Sequence, residues 1–149
     1  MKELTASDLR TGNLINYHAS EGDILLNKVD WQCIKWVTEE QEQFNLVHSA
    51  IPLTEEWLER FGFKRITKYE LSLIAIDYED EFFKHTKELE LYANFDDNEF
   101  NLSLDNIRTE SDGQLECVSI SLKHIQHVHT LQNFFYSISG KELTLKTQE

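Results

Sequence analysis

Three histidines within six residues, His124, His127 and His129, are the densest set of metal-ligating side chains in the sequence. Three imidazole nitrogens can hold Zn²⁺ or another transition metal, with a fourth ligand drawn from elsewhere. The spacing works against them. On one helix His124 and His127 share a face while His129 points away, and on a strand His127 and His129 agree while His124 opposes them. All three converge only at a strand-to-helix junction, with Cys117 or a carboxylate completing the set, and no usual zinc spacing is present. The plainer reading puts them at a helix start, partly exposed, bonding backbone groups.

Carboxylates are abundant in the middle of the chain: Asp77, Glu79, Asp80 and Glu81, then Glu88, Glu90, Asp96, Asp97 and Glu99. Acid–base catalysis needs one carboxyl held in a cleft with a raised pKa, whereas runs such as these form solvated faces with ordinary values. A partner-binding surface is their more natural use. Asp77, Glu79, Asp80, Glu81, Glu88, Glu90 and Glu99, carried on strands between Tyr69 and Leu104, would attract a basic patch and speed encounter in a salt-dependent way. A sharper form of this expectation is an acidic mimic of DNA that occupies the cleft of a defence or nucleic-acid-handling protein. Duplex DNA carries a charge every ~1.7 Å along its axis. Here Glu88 and Glu90 share a face, and Glu99, Asn101, Ser103 and Asp105 share another that is only half charged, a dilute stripe that solubility alone explains.

Nucleophile signatures are missing: the sequence has no GxSxG elbow, no glycine-rich phosphate loop and no HExxH. Cys33 and Cys117 stand far apart and outside any CxxC pair, so no disulfide framework is expected. Cys33 is expected in the core and Cys117 on the outer face of a strand. No catalytic residue and no cofactor is indicated. Trp31, Trp36 and Trp57 are the remaining candidates, as a stacking platform; in a lobe this small they are expected in the core, and one exposed beside Tyr17 or Tyr78 would mark a partner site.

The net charge of −13 is unevenly placed. Residues 1–65 hold 11 acids against 7 bases, residues 66–115 hold 13 against 4, and the rest balances at 3 against 3. That field disfavours nucleic acid and anionic membranes as direct partners. The N-terminus lacks a signal-peptide run and no stretch approaches ~18 uninterrupted apolar residues, so a cytoplasmic protein without a membrane anchor is expected.

The elements that must position these groups are short. Residues 13–17, 24–26, 31–38 and 44–48 are aromatic and β-branched and read as strands of a small curled antiparallel sheet, with a turn at Ser20-Glu21-Gly22-Asp23. Ile51 to Phe63 carries a complete helix signal. Thr54 caps it, Glu55 and Glu56 suit the positive end of the dipole, Leu53 and Leu58 staple it, and Gly62 stops it in a Schellman ending. From Tyr69 to Lys123 the period changes to two, and the runs YELSLIAI, LELYANF, FNLSL and VSISL form a meander with a hairpin turn at Asp96–Glu99 and another turn at Asp112-Gly113. Val118, Ile120 and Leu122 should share its core face. A last helix, about His127 to Ile138, places Val128, Leu131, Phe134, Phe135 and Ile138 at helical spacing before Gly140.

Three stretches carry a resemblance: Asp8-Leu9-Arg10-Thr11-Gly12-Asn13, Ile51 to Phe63 (IPLTEEWLERFGF), and Val128 to Leu143 (VHTLQNFFYSISGKEL), with Val29-Asp30-Trp31-Gln32 beside them. In this order they resemble a group of small uncharacterised proteins of Bacteroidetes and of their phages and mobile elements. The resemblance covers about a third of the chain and implies a phage-related accessory protein, with no functional residue to carry over.

These readings lead to an α+β fold of two small antiparallel β lobes, a curled N-terminal sheet and then a meander, with a short middle helix and a longer C-terminal helix packed on the sheet of the second. One compact domain, 1–149, is expected, with sub-lobes 1–65 (a barrel-like sheet plus helix 54–61) and 66–149 (meander plus C-terminal helix). The function expected is non-enzymatic interaction with a protein partner. The competing class is a metal-binding protein or enzyme built on His124, His127 and His129.

Overall fold

The computed structural model describes residues 3–80, 85–95, 100–109, 113 and 115–146, of which 76–80, 85–87, 108, 109, 115 and 116 are described by their backbone alone. It is an α+β protein with two antiparallel sheets and four helices among the described residues. None of those helices is long and apolar enough to cross a membrane. The chain divides into two compact units, Met1–Leu53 with Gln126–Leu143, and Thr54–Ile125 with Thr144–Glu149.

In the first unit β1 (Leu14–His18) lies between β2 (Ile24–Lys28) and β3 (His48–Ser49). The turn joining β1 to β2 forms where glycine allows it: Gly22 sits at φ +85°, and Ala19 N–H donates to Asp23 O at 2.8 Å. The next two segments depart from the strands expected over 31–38 and 44–48. They are helices, α1 (Trp31–Glu39) and α2 (Gln41–Val47). The cause is local. Asp30 caps α1 by accepting from Cys33 N–H at 3.0 Å. Cys33, Ile34 and Val37 then fall on one helical face against a core of Leu4, Leu9, Ile15, Val29 and Phe44. Tryptophan and β-branched residues suggest strand, but the 33, 34, 37 spacing is helical, and burial follows the spacing.

The C-terminal helix α4 (Val128–Ser139) ends at Gly140, whose φ of +71° is left-handed and whose N–H reaches Tyr136 O at 2.8 Å. It buries Val128, Leu131 and Phe135, while Phe134 and Ile138 are only half-buried. It packs on β1 of the first unit. The division therefore does not follow the sub-lobes 1–65 and 66–149: α4 joins the N-terminal sheet, and the middle helix joins the meander.

In the second unit α3 (Glu55–Arg60) has the ends its sequence announces. Thr54 Oγ1 accepts from Trp57 N–H, and Phe63 N–H reaches Leu58 O while Gly62 N–H reaches Glu59 O, both at 3.0 Å, with Gly62 at φ +99°. The meander follows in order: β4 (Lys64–Thr67), β5 (Glu70–Asp80), β6 (His85–Asn94), β7 (Asn101–Thr109) and β8 (Leu115–Ser121). Register places Leu71, Ala93 and Leu102 side by side, all buried, and Leu73, Leu91 and Leu104 in the next row. The hairpin of β6 and β7 is as expected, though its turn at Asp96–Glu99 lies outside the described residues, as does Asp112. Val118 and Ile120 depart from expectation, since β8 leaves them 63% and 57% exposed.

Candidate functional site

The structure does not gather the three histidines into a ligand set. His124 stands exposed in a turn of the second unit, while His127 and His129 open α4 in the first. His127 is half-buried at the N-cap, His129 is buried, and their rings lie 5.9 Å apart. Among the described residues no group of three or more His, Cys, Asp or Glu side chains is placed to hold a metal ion.

Of the acidic residues, Glu81 and Glu99 lie outside the described residues, and Asp77, Glu79 and Asp80 are described only as backbone of β5. Glu88 and Glu90 sit half-buried on the central strand β6, in register with Asp77 and Ile74 on β5 and with Ile107 and Asp105 on β7. Asp105 on this face is bonded within the sheet. Ser119 Oγ donates to Asp105 at 2.6 Å and Ser103 Oγ at 3.2 Å. Tyr92 is pushed up to about 12, first by burial and then by its hydrogen bond to Glu70.

Of the motif stretches noted above, residues 8–13, 29–32, 51–53 and 128–143 lie in the first unit, where they build a scaffold, and residues 54–63 belong to the second. Leu14 N–H donates to Gln132 Oε1 at 2.8 Å, and Gln132 Nε2 donates to Gly12 O at 3.3 Å. Asn13 Oδ1 accepts from Arg10 N–H at 2.6 Å, Asn13 Nδ2 donates to Asn133 Oδ1 at 2.8 Å, and Asn133 Nδ2 donates to Asp8 O at 2.8 Å. Arg10 stacks over Tyr136 at 4.2 Å and pairs with Glu142. The Ile51–Leu53 segment pairs with the residues leading into α4: Leu53 N–H donates to Gln126 O and Val128 N–H to Ile51 O, both at 2.9 Å. Asn13 and Gln132 are buried polar groups whose bonds go to Asn133 and to the backbone around them, the arrangement that makes such residues structural.

The unexplained feature of this unit is its apolar surface. Strand β2 is the edge of the sheet, and Ile24, Leu25 and Leu26 on it are 61%, 52% and 48% exposed. Successive strand side chains alternate between faces, so both faces of this edge are apolar and wet. Three residues past the end of β2, Trp31 opens α1 with 67% of its surface exposed. Trp31, Gln32, Lys35, Trp36, Glu39 and Glu40 line an open groove of about 520 Å³ along that helix.

An aromatic cluster around buried Phe44 and His48 holds one wall of the groove. Trp36 meets Phe44 edge-on at 5.5 Å, Phe44 stacks flat on His48 at 4.0 Å, and Tyr17 leans on His48 at 5.4 Å. His48 Nδ1 lies 2.9 Å from Phe44 O, an acceptor only, so Nδ1 carries the proton. Burial lowers the His48 pKa below its ordinary value, against the hydrogen bond, with nearby His18 adding to the lowering. The expectation that the tryptophans lie in the core is not met by Trp31 and Trp36, which are 67% and 37% exposed, and Trp36 and Tyr17 each contact His48.

One further pair was hidden in the sequence. His18 Nε2 lies 2.8 Å from Ser49 Oγ, joined across 31 residues by the pairing of β1 with β3. A histidine can take a serine proton, but a working nucleophile also needs a group to orient the imidazole and donors for an oxyanion. Among the described residues no carboxylate is bonded to His18, and the pair ties β3 to β1. Comparison with protein families, with curated proteins and with solved structures finds no match to this chain.

Proposed function

We propose that this is a non-enzymatic interaction protein whose first unit docks an extended segment of another protein along β2, with Trp31 as the anchor. The observation that carries the reading is three consecutive exposed aliphatic residues on an edge strand, followed along the chain by an exposed tryptophan. An edge strand offers unpaired N–H and C=O groups, and added strands gain affinity through them and specificity through side-chain pockets. Tryptophan is among the residues that most often dominate binding energy. Charge describes the occupant. Residues 21–40 hold five acids, Glu21, Asp23, Asp30, Glu39 and Glu40, against two bases, Lys28 and Lys35, within a chain of net charge −13. The segment that fits is therefore apolar with basic flanks, and the acidic chain as a whole would steer it to the site.

The test is affinity capture from the native host with the full chain and three variants. Leu25→Glu and Trp31→Ala should each lose the captured protein while folding normally, and Glu88→Gln/Glu90→Gln should retain it. Capture that survives both first-unit variants and fails only with the Glu88 and Glu90 pair would move the site to the acidic meander and refute the proposal.

A further inference from the structure

The aromatic rings at the surface of this chain fall into two groups. Arg10 lies over Tyr136 at 4.2 Å, Arg60 over Trp57 at 4.1 Å and Lys68 over Tyr69 at 5.4 Å, so these three rings are each covered by a cation of the chain itself. The face of an aromatic ring is electron-rich and attracts a cation held within ~6 Å of its centre. Trp31 and Trp36, 67% and 37% exposed, have no such cation among the described residues.

Helix α1 fixes what stands around the two uncovered indoles. Residues four apart are neighbours on a helix surface, so Trp31, Lys35 and Glu39 form one row and Gln32, Trp36 and Glu40, the C-cap, form the next. Each row holds one indole and ends in a carboxylate. All six residues are exposed, and together they line the open groove of about 520 Å³. Among the described residues no ion pair engages Glu39, Glu40 or Lys35. Two acids against one base leave the groove with an excess negative charge beside two free aromatic faces.

We propose that this groove is a binding site for an arginine side chain of the partner, its guanidinium stacked on Trp31 and Trp36 and its N–H groups turned to Glu39 and Glu40. The site rests on the reading of the first unit as a docking unit and gives the basic flank of the docked segment its chemistry. Arginine is selected over lysine because a guanidinium is planar, weakly hydrated, stacks on aromatic faces and forks onto carboxylates, whereas an ammonium is a strongly hydrated point charge. The chain makes the same choice internally, since its two closest cation–ring contacts are both arginines. Lys35 covers neither indole and weakens the field that draws the guanidinium in.

Titration of the full chain with N-acetyl-arginine amide at low salt, followed by NMR of the three indole N–H signals, tests this. Trp31→Phe, Trp36→Phe and Trp57→Phe assign the signals. Those of Trp31 and Trp36 should move saturably, while Trp57, already under Arg60, stays in place as an internal control. N-acetyl-citrulline amide, of the same shape without the charge, should move none of them. Glu39→Gln/Glu40→Gln should weaken the arginine response roughly threefold and Lys35→Gln strengthen it by a similar factor, the size expected of exposed charge pairs. Still signals at Trp31 and Trp36, equal movement of Trp57, an equal response to citrulline, or a response the glutamine pair leaves unchanged would each overturn the proposal. If arginine fails in any of these ways while capture of the partner still depends on Leu25 and Trp31, the arginine site falls and the docking edge stands; arginine bound as expected beside capture indifferent to Leu25 and Trp31 gives the reverse.

Discussion

Replacing Gln132 with leucine removes the side chain that joins α4 to the loop before β1 while leaving volume and helix propensity nearly unchanged. Gln132 is 2% exposed, and its Oε1 is the acceptor for the buried Leu14 N–H at 2.8 Å. Leucine cannot accept, so that N–H stays buried without a partner, a loss of about 1–3 kcal/mol. The 3.3 Å bond to Gly12 O is long, and Gly12 is half-buried, so its loss adds little. Against a total stability of ~5–15 kcal/mol the change is large, and near 2 kcal/mol it lowers Tm by about 4–8 °C for a chain of this size. Urea titration followed by tryptophan fluorescence and circular dichroism gives the free energy directly. Ser137→Ala, on the exposed side of the same helix, should stay within ~0.5 kcal/mol. If Gln132→Leu were as mild as that control, the hydrogen-bonded scaffold would not be what fixes α4 to this unit.

Two pH predictions follow from the same unit. The Asp30 carboxyl lies below its ordinary value chiefly because Cys33 N–H bonds it. Its stabilisation of α1 is complete above the unfolded value near ~3.9 and is lost as pH falls through the lower folded value, so Asp30→Asn should flatten the acid limb of a stability–pH profile. For His48 the folded pKa is also depressed, but here the favoured form is neutral. Stability is full above the unfolded value near ~6.5 and declines as pH falls from there toward the folded value. A proton-NMR titration should place His48 below 6.5, and a midpoint at or above that value would contradict the buried, stacked imidazole.

The parts of this fold that could be read in advance are those whose cause is local. Thr54 and Gly62 mark α3 because a cap and a left-handed stop are decided within a turn, and the meander announces itself because alternation survives any tertiary arrangement. Helix α1 was legible in principle through Asp30 and the spacing of Cys33, Ile34 and Val37, but its tryptophans carry a strand-like composition that hides the period. The placement of α4 was not legible, because Gln132 and Asn133 act through backbone atoms some 120 residues away. The candidate site was hidden for a related reason. Ile24, Leu25 and Leu26 read only as one strand of the curled sheet, and the strand order and exposure show that β2 is an edge with nothing described upon it.

The central claim concerns Trp31 and the β2 edge, and it is tested most directly by the affinity of the captured partner, purified, for wild type and for Trp31→Ala. Trp31 is exposed, so its truncation should leave stability within ~0.5 kcal/mol, yet weaken binding by about 2 kcal/mol or more, roughly 30-fold in Kd. Unchanged affinity in Trp31→Ala, with the loss appearing instead in Glu88→Gln/Glu90→Gln, would contradict the account.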